Sequence, residues 1–100
     1  MSVPATAWSN KGGTSDRNCA CGSWAQHWVN FASKPWPAQC SVEGCSAKAT
    51  VGGHAINSSV AGERIVPLCD SCNKRGGAFT LKGSITVPSA NKAETCERQA

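Results

Sequence analysis

The chain has 100 residues, a net charge of +4 and charged side chains at 16% of its positions, which is enough for one small domain. Of its 40% hydrophobic residues, 14 are Ala and 7 are Cys, so 19 are Val, Ile, Leu, Met, Phe or Trp. A core with so few large apolar side chains needs disulfides, a metal or a partner, and it excludes a large α/β enzyme core. No run of residues approaches the roughly 20 apolar positions of a membrane span.

The first residues have neither the basic start nor the apolar stretch of a secretory signal. We therefore expect a cytoplasmic monomer without membrane attachment, in which thiols stay reduced and clustered cysteines bind metal rather than form disulfides. An odd number of cysteines, 7, also disfavours a closed disulfide framework. The modest positive charge permits contact with nucleic acid but does not require it.

The order of segments predicts three regions. Residues 1–18 are polar and are predicted to form a flexible segment, from which Trp8 is expected to dock on the folded domain. Residues 19–88 form a single zinc-binding domain, and residues 89–100 form a polar tail. The fold class that we predict is a small α+β domain stabilised by zinc, with a β-hairpin, a short helix and an extra N-terminal helix.

The extra helix is predicted at residues 23–32, where Ser23 and Gln26 have the spacing of a capping box. Trp24, Trp28 and Phe31 fall on one face of this helix. Such a stripe is typical of core packing, although a platform on which bases stack is the functional alternative.

A β-hairpin is predicted next, with strands at residues 47–56 and 62–68 and a loop of turn-forming residues between them. Residues 69–76 then form a short helical turn that ends at two glycines. Two further strands are predicted at residues 79–81 and 84–87.

Two cysteine pairs carry the clearest chemistry, and 23 residues separate them. The pairs are Cys40 with Cys45, and Cys69 with Cys72. Each pair can direct two thiolates at one ion, and zinc prefers four soft ligands in a tetrahedron. The second pair begins a helix, whose N-terminal dipole favours thiolate. We therefore predict one structural Zn²⁺ bound by these four residues.

A second metal site is a further possibility. Its ligands would be Cys19, Cys21, His27 and His54. For the two histidines, the alternatives are a packed position among the tryptophans and a strand residue bonded to a loop. Cys96 is either an alternative fourth ligand or a free thiol in the tail.

The motifs Gly-Gly-His-Ala-Ile, Glu-Arg-Ile-Val-Pro-Leu and Cys-Asp-Ser-Cys-Asn-Lys-Arg-Gly follow the first cysteine pair. In this order they resemble the zinc-containing HNH endonuclease or treble-clef family over residues 40–77. The resemblance implies a structural zinc and, next to it, a ββα unit for a catalytic ion such as Mg²⁺. It makes His54 the general base and Asn73 a ligand of that ion. Gly53 stands where the family has an acidic ligand, and residues 64–67 lack the asparagine that orients the base.

We therefore expect a small zinc-binding module, non-catalytic or degenerate HNH-like, whose leading partner is nucleic acid. Its predicted phosphate contacts are Arg64, Lys74, Arg75 and Lys82. One alternative is a metal-dependent nuclease of the HNH type. Another is a protein–protein adaptor that presents Trp8 and Trp36 as an exposed hot spot.

Overall fold

The computed structural model describes residues 6–11, 21–83 and 85–91. The elements in chain order are β1 (Ser9–Asn10), α1 (Trp24–Ala32), β2 (Val51–Asn57), β3 (Val60–Leu68) and α2 (Asp70–Asn73). The three strands form one antiparallel sheet in the order β1-β2-β3. The predicted α+β class is thus confirmed. No helix in the described part of the chain is long and apolar enough to cross a membrane.

The hairpin forms with a tighter turn than the sequence predicts. Strand β2 ends at Asn57 and β3 begins at Val60, so the loop predicted for residues 57–61 shrinks to two residues. The Asn57 side chain makes this possible because its Oδ1 accepts a hydrogen bond from Ser59 N at 2.8 Å. Residues 47–50, predicted as strand, lie before β2. Lys48 makes a single bridge to Gln39, and Ala49 N donates to Ala38 O at 3.2 Å, so they pair with the segment that precedes the first cysteine pair.

Helix α1 forms as predicted. Ser23 caps it, accepting a hydrogen bond from Gln26 N at 3.0 Å, and Ser33 ends it in the left-handed region with φ 56°. The aromatic stripe is only partly buried: Trp28 is 4% exposed, but Phe31 is 41% exposed. The Phe31 ring packs on His27, with centroids 4.8 Å apart, but the side chain stays largely exposed. It is therefore not the core residue that its spacing predicts.

Strand β1 has no counterpart in the predicted elements. Ser9 pairs with Ile56 and Asn10 with Ala55, while Trp8, fully buried, exchanges backbone hydrogen bonds with Phe79. The predicted flexible segment therefore contributes a core side chain and one strand of the sheet. Residues 1–5 and 12–20 lie outside the described part of the chain.

The sheet carries a separate core on each face. Neighbouring residues of β3 point to opposite faces, so Ile65 packs with Trp28 of α1, and Val66 packs in the cluster that contains the cysteines. The cluster that contains the cysteines also holds buried side chains from outside the sheet: Trp8, Val42, Phe79, Leu81 and Val87. The cysteines and α1 are therefore on different sides of the sheet.

The segments after α2 are extended but do not form the predicted strands. Phe79 and Leu81 make single bridges, to Trp8 and Val42, and Ser89 makes one to Arg64. Ala90 N donates to Glu63 O at 2.9 Å, so the start of the predicted tail packs along β3. Short polar connections between these points prevent continuous ladders.

Candidate metal centre

The first cysteine pair lies in a tight turn that the backbone closes on itself. Cys40 N donates to Ala47 O at 2.8 Å, and Cys45 N donates to Val42 O at 3.0 Å. Gly44 has φ +84°, a conformation that favours glycine and reverses the chain just before Cys45. We call residues 40–47 the knuckle. It brings two thiols to one side of a short loop.

The second pair lies at the start of α2. Cys69 is the N-cap, and its Sγ accepts a hydrogen bond from Cys72 N at 3.4 Å. Strand β3 ends at Leu68 and thus delivers Cys69 directly to this position. The turn therefore aims both sulfurs in one direction and supplies an amide donor to one of them.

The four predicted ligands converge. The Sγ atoms of Cys40, Cys45, Cys69 and Cys72 all lie within 4.8 Å of one another. Cys45 Sγ is 3.8 Å from Cys69 Sγ and 3.9 Å from Cys72 Sγ. A zinc ion with bonds of about 2.3 Å to four sulfurs implies S–S separations of about 3.8 Å. The thiols therefore have the spacing of one tetrahedral zinc site.

Burial sets the charge state of the thiols. It raises the pKa of Cys40 and raises that of Cys72 to about 12. The pKa of Cys69 is lowered, chiefly by the hydrogen bond from Cys72 N. Buried thiols that resist ionisation need a cation to become thiolates. Zinc, bound by all four, would supply that charge and leave the centre with a net charge of −2.

Lys82, predicted as a phosphate contact, supports the cysteine centre. Its Nζ donates to Cys45 O at 2.8 Å and to Gln39 Oε1 at 3.4 Å. Its backbone N donates to Ser41 O at 2.8 Å, so main chain and side chain both hold the knuckle. The ammonium group thereby lies next to a centre that is anionic when zinc is bound.

The predicted second metal site does not assemble among the described residues. In residues 6–11, 21–83 and 85–91, Cys21, His27 and His54 join no group of three potential ligands. His27 is fully buried and its Nε2 lies 2.8 Å from Ser89 O. The rings of both histidines pack on Trp24, with centroids 5.0 Å and 4.3 Å away. Cys19 and Cys96 lie outside the described residues.

The two residues predicted to serve a nuclease are on opposite faces of the sheet. His54 packs on Trp24 of α1. A side-chain carbon built on the preceding Gly53 would lie 2.6 Å from Asn73 Oδ1, which places Asn73 on the other face. The structure therefore does not bring His54 and Asn73 to one ion. Neighbouring side chains of a strand point to opposite faces, so Gly53 and His54 of β2 had to lie on different sides of the sheet. This alternation is the sequence feature that could have indicated the separation.

The predicted phosphate contacts differ in their surroundings. Lys74 and Arg75 are exposed at the end of α2, where Lys74 Nζ lies 3.2 Å from Asp70 Oδ2. Arg64 is half-buried and its Nη1 donates to Val87 O at 3.4 Å. Lys82 holds the knuckle.

The two tryptophans of the adaptor hypothesis do not form an exposed hot spot. Trp8 is buried, and Trp36 is half-buried with its Nε1 donating to Ala49 O at 2.9 Å.

No family model, curated protein or solved structure matches this chain. The resemblance to HNH endonucleases therefore gains no support from relatives. The described residues form a small α+β domain, and within them the four thiols make a Cys₄ centre with the geometry for one Zn²⁺.

Proposed function

We propose that this protein is a non-catalytic zinc module that binds nucleic acid through the exposed basic end of α2. The observation that carries the proposal is the position of Lys74 and Arg75, two and three residues after the zinc ligand Cys72. Zinc would fix the start of α2, and these two cations follow within one helical turn. A fixed backbone lowers the ordering cost of binding phosphates, although the exposed side chains must still be ordered.

Strand β1 holds the backbone of this surface in place. The Asn10 side chain donates to Cys72 O at 2.7 Å and to Arg75 O at 2.9 Å. It therefore ties down both ends of the segment that carries the two cations. We call Lys74 and Arg75 the basic end.

The ion pair between Lys74 and Asp70 does not remove Lys74 from this surface. Both side chains are highly exposed, at 74% and 70%. Exposed pairs of this kind contribute little and are screened by salt, so a phosphate can replace the carboxylate. Arg64 and Lys82 are left out of the proposed contact because each donates to a backbone carbonyl.

A treble-clef-like arrangement is part of the proposal. The order of its parts supports this arrangement: two ligands in the knuckle, then the β-hairpin, then two ligands at the start of α2. The opposite placement of His54 and Asn73 argues against the nuclease alternative, since a lone histidine does not position Mg²⁺.

Equilibrium binding at several salt concentrations tests the proposed function. Zinc-loaded protein is titrated into fluorescent 20-base-pair DNA, and log K is plotted against log salt. In the Lys74→Ala/Arg75→Ala variant we expect the slope to be smaller by about 1.8, because each phosphate contact contributes about 0.9.

The matched control is Lys34→Ala/Lys48→Ala, which removes the same charge from exposed positions outside the basic end. We expect its slope to equal that of the wild type. Binding that is absent, that does not respond to salt, or that falls equally in both variants would contradict the proposal. If the zinc-loaded protein binds no DNA, the protein–protein adaptor remains as the alternative function.

A further inference from the structure

The four zinc ligands are unequal in their exposure. Cys40 is fully buried, and Cys69 and Cys72 are 6% and 9% exposed. Cys45 is half-buried, and its neighbours Gly44 and Ser46 are exposed on the surface of the knuckle. Cys45 is therefore the most exposed of the four ligand residues, and an oxidant has the easiest approach from its side of the centre.

One cation also lies beside Cys45. Lys82 Nζ lies 2.8 Å from Cys45 O and is itself only half-buried. Reactive cysteines are partly exposed and lie in electropositive surroundings, whereas buried structural cysteines are inert. Cys45 meets both conditions, and its three partners fail the first.

We propose that Cys45 is a redox modification site of the zinc centre, at which a hydroperoxide oxidises the thiolate and Cys69 then closes a disulfide that expels zinc. The inference rests on the zinc centre of the proposed function. It does not depend on nucleic-acid binding.

The chemistry takes place in two steps. The Cys45 thiolate attacks one oxygen of hydrogen peroxide, an S–O bond forms, the O–O bond breaks, and hydroxide leaves, so that Cys45 becomes a sulfenic acid. The Cys69 thiolate then attacks the Cys45 sulfur, the S–O bond breaks, and a second hydroxide leaves. The two sulfurs lose two electrons in total, which reduce one peroxide.

Two sulfurs of the centre are near enough to resolve the sulfenic acid. Cys69 Sγ is 3.8 Å and Cys72 Sγ is 3.9 Å from Cys45 Sγ, and a disulfide requires about 2.05 Å. We assign the step to Cys69, the nearer sulfur. The knuckle can supply this movement because its tip lies at the surface. Loss of two of four ligands leaves zinc with a pair of thiols, which is too few to hold it against a chelator.

Mapping of the modified cysteines tests the proposal on the wild-type, zinc-loaded protein. Less than one equivalent of hydrogen peroxide is added, zinc release is followed with a chromogenic chelator, and free thiols are then alkylated for peptide mass spectrometry. We expect zinc release in proportion to a Cys45–Cys69 disulfide that a reductant reverses. Release with Cys45 still reduced, for example with a Cys69–Cys72 disulfide, would overturn the proposal. A Cys45–Cys72 disulfide would overturn the assignment of Cys69 as the resolving thiol. Oxidation of other cysteines without zinc release would also overturn it.

Two histidine variants provide an independent test, since zinc accepts a Cys₃His ligand set. Cys45→His removes the reactive thiol, and we expect zinc release by peroxide to slow about ten-fold. The matched control, Cys40→His, replaces a buried ligand and should stay within about two-fold of the wild-type rate. Equal rates in the two variants would contradict the role of Cys45. If either variant fails to bind zinc, the wild-type mapping decides.

The proposed function and this inference can fail separately. A zinc-loaded protein that binds no nucleic acid but forms the Cys45–Cys69 disulfide refutes only the former. A protein that binds DNA but loses no zinc to peroxide refutes only the latter.

Discussion

At the residue scale, the thiols of the zinc centre control how stability responds to pH. In the metal-free fold, the raised pKa of Cys40 and Cys72 contributes stability that is present below pH 9.0. For Cys72 this contribution is lost as the pH rises from 9.0 towards about 12. The lowered pKa of Cys69 acts in the opposite direction and partly offsets it.

With zinc bound, the stability of the fold instead falls as the pH is lowered. Bound thiolates carry no protons, so the zinc-loaded state holds fewer protons than the metal-free state. Lowering the pH therefore favours zinc release, and the zinc-loaded protein should lose far-UV circular dichroism between pH 7 and pH 5. A chelated sample is the control and should stay constant over this range at the spectrum of the unfolded chain, because it holds no zinc that protons could displace. Identical pH profiles for the two samples would contradict zinc coordination by these thiols.

The roles of individual residues were predictable where they depend on local spacing. The four ligands follow from two short cysteine pairs, because a turn of that length directs both sulfurs at one ion. The role of Lys82 was not predictable, since its contact with Cys45 joins residues 37 positions apart. Phe31 has the spacing of a core residue, but it is 41% exposed and packs on His27 at the edge of the core.

At the element scale, the packing of α1 on β2 depends on a glycine. A Cβ at Gly52 would lie 2.6 Å from the Trp24 carbonyl carbon and 2.8 Å from Ala25 N, both backbone atoms. The helix start can therefore approach the strand only because this position has no side chain. That approach places Trp24 between the two histidine rings.

We expect Gly52→Ala to lower the free energy of unfolding by about 1–3 kcal/mol, the usual effect of overpacking. The measurement is urea denaturation of the zinc-loaded protein, with an unchanged m-value as evidence that two-state unfolding is retained. Gly76→Ala is the matched control, because a Cβ there meets nothing within 4 Å. It should stay within about 0.5 kcal/mol of the wild type. Equal effects of the two substitutions would show that α1 can shift away from the strand.

The elements differ in how far the sequence predicts them. Helix α1 has an N-cap serine and a periodic stripe, and the hairpin has β-branched residues around a polar turn, so both are recognisable. Strand β1 has two polar residues and no pattern, and it forms because Trp8 inserts beside Phe79 and anchors it. The segments at residues 79–81 and 85–87 alternate like strands, but the first makes isolated bridges at Phe79 and Leu81 instead of a ladder. The second makes no bridge, and the next one lies at Ser89.

At the scale of the whole molecule, zinc takes the place of part of the apolar core. The chain has only 19 residues of Val, Ile, Leu, Met, Phe or Trp, and some of these are exposed. One ion joins the knuckle to the end of the hairpin, closing a loop of 24 positions between Cys45 and Cys69. Structural zinc supplies about 10–16 kcal/mol in zinc-finger peptides, more than the whole stability of most small domains.

Both faces of the sheet depend on this closure. The cysteine cluster buries Val66 and Leu68 of β3 directly, and it fixes the strand whose other face packs on α1 through Ile65. Removal of zinc should therefore disrupt both cores together rather than loosen the knuckle alone.

Native mass spectrometry of the reduced protein, combined with circular dichroism after chelation, tests this central claim most directly. We expect a mass that corresponds to one bound zinc ion and loss of the folded spectrum when a chelator removes it, with recovery on adding zinc back. A reduced protein that binds no metal and keeps the same folded spectrum would contradict the account.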